Sequence, residues 1–289
     1  MKNKSFTVIE LLVVITLIGL ISSIVLITLK NATERARIAK ILQWSHSIHS
    51  LLGADAVGIW NFDDCTANDI SGNGNNGTIY GASCTDDTPH KIVGAGSGKY
   101  SLSFNGAGEY VDCGNDESLN ITDTITIETW INPATAQEVC WNGATGNYGV
   151  AGKVESAAGS TNWSWQLRYG SPDSCRLGFQ FNTVGAGAQW ATAKRDLTVG
   201  QWYHIVGTFG GTDIKFYLNG ELKDTNTLGA STKIVSNLNK LLIANEGWAN
   251  YFNGLIDEVR IYNRALMATE IQKHYTEGLE RLQLTQRNK

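Results

Sequence analysis

Two hydrophobic rhythms divide the chain. From Phe6 to Leu29 it is almost continuously apolar: twenty-four residues with no Pro and one formal charge, Glu10. As a helix this stretch is roughly 36 Å long, enough to cross a hydrocarbon core of about 30 Å. Residues 30–52 then turn amphipathic. Ile38, Ile41 or Leu42, Ile48 and Leu51 or Leu52 recur at three- and four-residue steps, with Lys30, Arg35, Arg37 and Lys40 between them. That pattern continues the helix, and Gly53 suits its end. From Val57 onward the period shortens to two. Ile125, Ile127, Thr129 and Ile131 share one face, and the same alternation or β-branched and aromatic enrichment predicts strands near 101–104, 110–113, 124–132, 202–209, 214–218, 241–244 and 255–262. Asn219-Gly220 between apolar runs predicts a tight hairpin. So many short strands predict two packed antiparallel sheets or a barrel. Residues 268–276, with Ile271, His274 and Tyr275 on one side, predict a short closing helix before a polar tail from residue 279.

Charge and cysteine refine this picture. The net charge of −4 is unevenly spread: residues 1–52 carry +4 and residues 53–269 carry −9. An acidic body without a basic cluster argues against nucleic acid as a partner. The 31 Gly and 3 Pro suit strands joined by tight turns. All five cysteines lie in this body. Cys65 and Cys84 bracket an Asn/Gly-rich stretch and Cys140 and Cys175 flank another variable region. Two disulfides there fit an oxidising, extracytoplasmic compartment, although spacing does not settle connectivity. Cys113 shares a face with Val111 and reads as a small buried hydrophobe.

A secretory signal would have a shorter apolar run followed by a cleavage site, whereas this run enters further helix. A plain anchor does not explain a carboxylate inside it. The stretch Lys4-Ser-Phe-Thr-Val-Ile-Glu-Leu-Leu-Val-Val-Ile15 resembles the start of type IV pilins and type II secretion pseudopilins. The resemblance implies that a prepilin peptidase removes residues 1–5 between Ser5 and Phe6 and that the new N-terminus is methylated. It also implies that Glu10 pairs with the N-terminal amine of a neighbouring subunit, which makes a buried carboxylate tolerable. The family usually has Gly where this chain has Ser5.

A second resemblance spans about residues 56–276. Trp60-Asn-Phe-Asp63, Asp69-Ile-Ser-Gly-Asn-Gly-Asn-Asn-Gly-Thr78, Ser101-Leu-Ser-Phe-Asn-Gly106, Gly200-Gln-Trp-Tyr-His-Ile205, Phe216-Tyr-Leu-Asn-Gly220 and Gly254-Leu-Ile-Asp-Glu-Val-Arg-Ile-Tyr-Asn-Arg264 together resemble a laminin-G-like, concanavalin-A-like jellyroll. The resemblance implies a structural calcium ion held by Asp69, Asn76 and Asp257, with backbone carbonyls completing the shell. It also implies carbohydrate recognition, for which Trp141, Trp163, Trp190 and Trp248 in loop-like segments are the candidates. Where relatives often start the closing helix with a Ser cap, this chain has Met267. Glucan-hydrolysing relatives need paired carboxylates on one strand face. Glu128 stands alone on its strand, Asp257 and Glu258 point to opposite faces, and no catalytic residue is predicted.

The expected architecture is a leader (1–5), a transmembrane and assembly helix (6–29), its amphipathic continuation (30–53), an all-β jellyroll sandwich with a short C-terminal helix (54–278), and a polar tail (279–289). The expected function is a pilin-like or pseudopilin filament subunit of the cytoplasmic membrane, single-pass, displaying a non-catalytic extracytoplasmic jellyroll that binds glycan or protein. Its expected partners are other pilin-like subunits, the prepilin peptidase and the membrane. The alternative is a membrane-anchored carbohydrate-binding or adhesion protein that does not polymerise. The lack of a Pro/Ser/Gly-rich spacer after residue 52 favours the filament subunit.

Overall fold

The alternating segments assemble into two antiparallel sheets. In spatial order, the eight-stranded sheet holds β13 (Glu221–Thr227), β12 (Asp213–Leu218), β11 (Tyr203–Phe209), β6 (Ile125–Pro133), β15 (Asn253–Tyr262), β4 (Ser101–Asn105) and β3 (Ser83–Thr85). Its eighth strand, β1 (Ala56–Trp60), also pairs with β15. The seven-stranded sheet runs β10 (Gly187–Ala193), β9 (Leu177–Thr183), β8 (Trp165–Tyr169), β7 (Tyr148–Lys153), β14 (Leu241–Ile243), β5 (Tyr110–Asp112) and β2 (Thr78–Tyr80). These observations come from a computed structural model that describes residues 8–9, 11–22, 55–89, 100–134, 148–154, 163–169, 177–193, 197–229, 232–247 and 251–286.

The chain divides into two compact units, Met1–Ala54 and Asp55–Lys289. The second is the sandwich. Neighbours in each sheet are far apart in sequence, as when β15 inserts between β6 and β4. Inward residues of the two sheets form one core, in which Phe181 and Phe209 meet across the gap with ring centroids 4.5 Å apart. Gly207 on β11 permits that approach, because a Cβ there would collide with the ring of Phe179. The Asn219-Gly220 turn is as predicted: both residues have positive φ, 53° and 76°, and Leu218 pairs directly with Glu221.

The C-terminal helix α2 (Ala268–Gln286) runs through Gly278 and ends well beyond the residue 276 expected from the sequence, so the segment expected as a polar tail is largely helical. Met267 sits at its start without a side-chain oxygen. Glu270 supplies half of a capping box instead, its Oε2 accepting from Met267 N at 2.7 Å. Arg264 fixes that carboxylate with two hydrogen bonds of 2.9 Å.

In the first unit, residues 11–22 form helix α1, with residues 8 and 9 helical just before them. Every apolar side chain from Val8 to Ile21 for which exposure is described is exposed, on all sides of the helix. Thr16 turns its hydroxyl back onto the carbonyls of Leu12 and Val13, at 3.0 and 2.9 Å. Among the described residues no helix is long and apolar enough to cross a membrane. Ser5, Phe6, Glu10 and residues 23–54 lie outside the described residues.

Candidate functional site

The Asp69-Ile-Ser-Gly-Asn loop folds around one carboxylate. Asp69 Oδ1 accepts from the backbone N–H of Ile59 and of Ser71, at 3.0 and 2.9 Å. Its Oδ2 accepts from Ser71 Oγ and from Asn75 N, both at 2.9 Å. Asn76 Oδ1 accepts from Asp69 N at 2.9 Å. Four donors fill the lone-pair sites of the Asp69 carboxylate, and the Asn76 oxygen is likewise engaged. Asp69 and Asn76, two of the three residues expected to hold calcium, are thus brought together in one loop. Asn75 and Asn73 both donate to Val57 O, at 2.8 and 3.2 Å, and the buried Trp60 indole donates to Asn75 O at 2.9 Å. The loop is thus tied to β1 by hydrogen bonds. Asp69→Ala leaves four donors unmatched and should lower the unfolding free energy by roughly 2–4 kcal/mol. Urea titration should give the same loss with calcium and with chelator.

Asp257, the third expected ligand, is buried on β15, where the register shifts between Asp257 and Arg260 and Glu258 adopts φ 52°. Its Oδ1 accepts from Glu258 N at 2.8 Å, while its Oδ2 has no hydrogen-bond partner. Burial, then the charges of Glu258 and Asp63, push its carboxyl well above the usual range. Among the described residues no three His, Cys, Asp or Glu side chains gather to hold a metal. Cys65 and Cys84 form a disulfide beside this region. Cys113 is a free, buried thiol, as expected, and burial pushes its pKa well up. Cys140 and Cys175 lie outside the described residues.

Glu128, the one carboxylate on its strand, meets partners from other elements. It is 1% exposed on the outer side of β6, at the centre of a buried cluster. Arg260 donates to its Oε1 at 2.8 Å, and the His274 Nδ1–H of α2 donates to its Oε2 at 2.7 Å. Arg260 also donates to Glu258 at 2.6 Å. His204 Nε2 lies 3.7 Å from Glu128, too far for a hydrogen bond, and among the described residues neither of its ring nitrogens has a hydrogen-bond partner. Burial alone would raise the Glu128 pKa. The opposing effects of His274, His204 and Arg260 prevail and hold it well below the usual range. Burial lowers the His204 pKa and keeps the ring neutral. Trp130 and His204 flank Tyr275 of α2, with centroids 5.9 and 6.1 Å away. These side chains, buried or nearly so, seat α2 on the eight-stranded sheet.

The seven-stranded sheet carries different chemistry on its outer side. Alternation in Trp165-Gln-Leu-Arg-Tyr169 and Phe179-Gln-Phe181 sends the aromatic and aliphatic residues into the core and the polar ones outward. Strand register then lines up Trp190, Gln180, Gln166, Gly152, Leu242, Asp112 and Thr78 across all seven strands. Trp190 is 51% exposed. Gln166 is 6% exposed and its Oε1 has no hydrogen-bond partner. One register step away, Arg168 pairs with Glu246 at 2.9 Å. Beside it, Gly149 lets the backbone of Asn245 and Glu246 cross close above, where any Cβ would collide. An exposed indole beside the half-buried Gln180 amide can cover a sugar face and fix a hydroxyl. Of the tryptophans selected from sequence, Trp190 is on this platform and Trp163 is half-buried just before β8. Trp141 and Trp248 lie outside the described residues. Gln166, Arg168 and Gln180 were not anticipated, although their alternation with core aromatics was visible.

A two-sheet antiparallel sandwich with this polar outer face is a lectin-type jellyroll. The family described as the concanavalin A-like lectin/glucanases superfamily matches residues 105–272, more than half the chain, and the chain belongs to it. Among curated proteins none matches. Among solved structures, the binding domain of Paraclostridial Mosquitocidal Protein 1 is similar at 18% identity and TM-score 0.60, over 78% of this chain and 52% of that one. Domain 4 of AbnA, an extracellular arabinanase from Geobacillus stearothermophilus solved with arabinotriose, is similar at 20% identity and TM-score 0.53, over 76% and 97%. The binding domain of botulinum neurotoxin serotype G is similar at 16% identity and TM-score 0.58, over 77% and 51%. The chain spans about half the length of the two toxin domains. At these identities the likeness is one of fold.

Proposed function

We propose that residues 55–289 form a non-catalytic carbohydrate-binding domain and that the N-terminal helix makes the chain a pilin-like subunit. The observation that carries the binding reading is the exposed Trp190 indole in register with the half-buried Gln180 amide on the outer side of the seven-stranded sheet. Similar structures add support: the arabinanase domain was solved with arabinotriose, and cell entry of botulinum neurotoxin type C depends on interaction with two ganglioside molecules. Among the described residues, the nearest approach to a catalytic constellation, Glu128 with two histidines, is closed off from solvent and engaged in seating α2. A glycan array probed with the full chain in detergent tests this. Trp190→Ala should lower affinity for the preferred glycan roughly tenfold. A blank array with folded protein would overturn the reading.

The assembly reading rests on Phe6-Thr-Val-Ile-Glu10 and the apolar run after it. A helix apolar all round requires cover from lipid or other subunits, and Thr16 satisfies its hydroxyl within the helix as that setting demands. The Cys65–Cys84 disulfide supports an oxidising, extracytoplasmic place for the domain. In this reading the prepilin peptidase cuts between Ser5 and Phe6, and the chain stays in the cytoplasmic membrane until it enters a filament.

A further inference from the structure

Away from Trp190, on the same sheet, three tyrosines from separate parts of the chain come together. Tyr80 on β2 pairs directly with Tyr110 on β5, their rings stacked with centroids 4.7 Å apart and planes 11° apart. Tyr251 follows at 6.3 Å from Tyr110, held where its backbone bridges Gly149 and Asn245. None belongs to the hydrophobic core. Tyr80 is 45% exposed on the last strand of the sheet, and among the described residues Tyr110 is its only aromatic ring contact. Among the described residues no second ring covers the other face of Tyr80. Beside the row, the exposed Lys240 ammonium donates to Asp112 Oδ2 at 2.6 Å, close enough to act electrostatically on both Tyr80 and Tyr110. A cross-strand pair stabilising a short edge strand accounts for two rings. It does not account for the third, delivered by a different segment, or for the charged pair alongside.

We propose that Tyr80, Tyr110 and Tyr251, with Lys240 and Asp112, form a second carbohydrate contact surface that takes successive pyranose rings of a polysaccharide chain. One sugar covers the face of Tyr80 away from Tyr110. The phenol hydroxyls and the Lys240–Asp112 pair meet the hydroxyls of the next sugars as the chain runs across the strands, which are spaced about 4.8 Å apart. The inference rests on the carbohydrate reading above and adds to it a second site and a preference for chains over single sugars.

The test is calorimetric titration of the full chain with cello-, xylo-, manno- and chito-oligosaccharides of two to six units. Affinity of the wild type should rise with chain length. Tyr80→Ala and Tyr110→Ala should weaken binding of the six-unit chain roughly tenfold, about one stacking contact, and leave the two-unit affinity at Trp190 unchanged. Tyr80→Trp, which restores a ring face, should rescue binding and rules out a folding defect as the cause. Equal six-unit affinity in wild type, Tyr80→Ala and Tyr110→Ala, with Trp190→Ala still impaired, overturns this inference and leaves the carbohydrate reading standing. A wild type that binds no member of the panel overturns both.

Discussion

Replacing Glu128 by Ala should lower the unfolding free energy by about 3–5 kcal/mol, the cost of removing one partner from a buried ion cluster. The loss comes from what stays behind. Arg260 keeps Glu258 but loses its second carboxylate, and His274 keeps its buried place with no acceptor for Nδ1–H. Glu128→Gln keeps the shape and one acceptor and should cost less. The effect should be concentrated at α2, so amide exchange there should accelerate before the sandwich opens.

The pH dependence follows from the same cluster. The folded pKa of His204 is depressed, so its contribution is present above the unfolded value of about 6.5 and fades as pH falls below it. The Glu128 pKa is depressed as well. Its contribution is present above the unfolded value of about 4.3 and is lost as pH falls through the lower folded value. Wild-type stability should thus decline in two stages on acidification. Glu128→Ala should remove the lower stage, and His204→Phe the upper one. Denaturant titrations from pH 8 to pH 3 would show this, and an unchanged acid limb in Glu128→Ala would refute the assignment.

Glu10→Leu should sharply reduce entry into filaments while leaving membrane insertion and leader removal intact. For a mere anchor the change is neutral or favourable, because it takes a polar group out of lipid. For a subunit it deletes the partner of a neighbour's N-terminal amine, and with it the register along an otherwise smooth apolar helix. The chain is expressed with its assembly proteins, cleavage before Phe6 is confirmed by mass spectrometry, and sheared filaments are compared with membranes. Equal incorporation of correctly processed Glu10→Leu would remove the assembly role. If a competent peptidase never cuts the wild type, the anchored binding protein becomes the better account.

Much of the sandwich was legible in advance because alternation records burial directly. Ile125, Ile127 and Ile131 announce β6, and Asn219-Gly220 announces its hairpin through two residues that tolerate positive φ. The strands β7 to β10 were not anticipated. Segments such as Tyr-Gly-Val-Ala-Gly-Lys and Gly-Ala-Gln-Trp-Ala-Thr-Ala have small residues where neighbouring backbones approach closely, and they lack the β-branched signature.

The sequence alone determined which face of each regular strand turns inward, where the hairpin closes, and that Cys113 is a buried thiol. Only the tertiary structure decided what those faces meet. Glu128, isolated on its strand, acquires Arg260 from β15 and His274 from α2. Asp69 gathers donors from Ile59, Ser71 and Asn75 around one carboxylate. Tyr80, Tyr110 and Tyr251 become one surface because β5 lies beside β2, with β14 on its other side. The physical reason is that alternation is a local property, set by the pleat of one strand, whereas a charge or a ring acquires its role from neighbours that strand order and register deliver from distant parts of the chain.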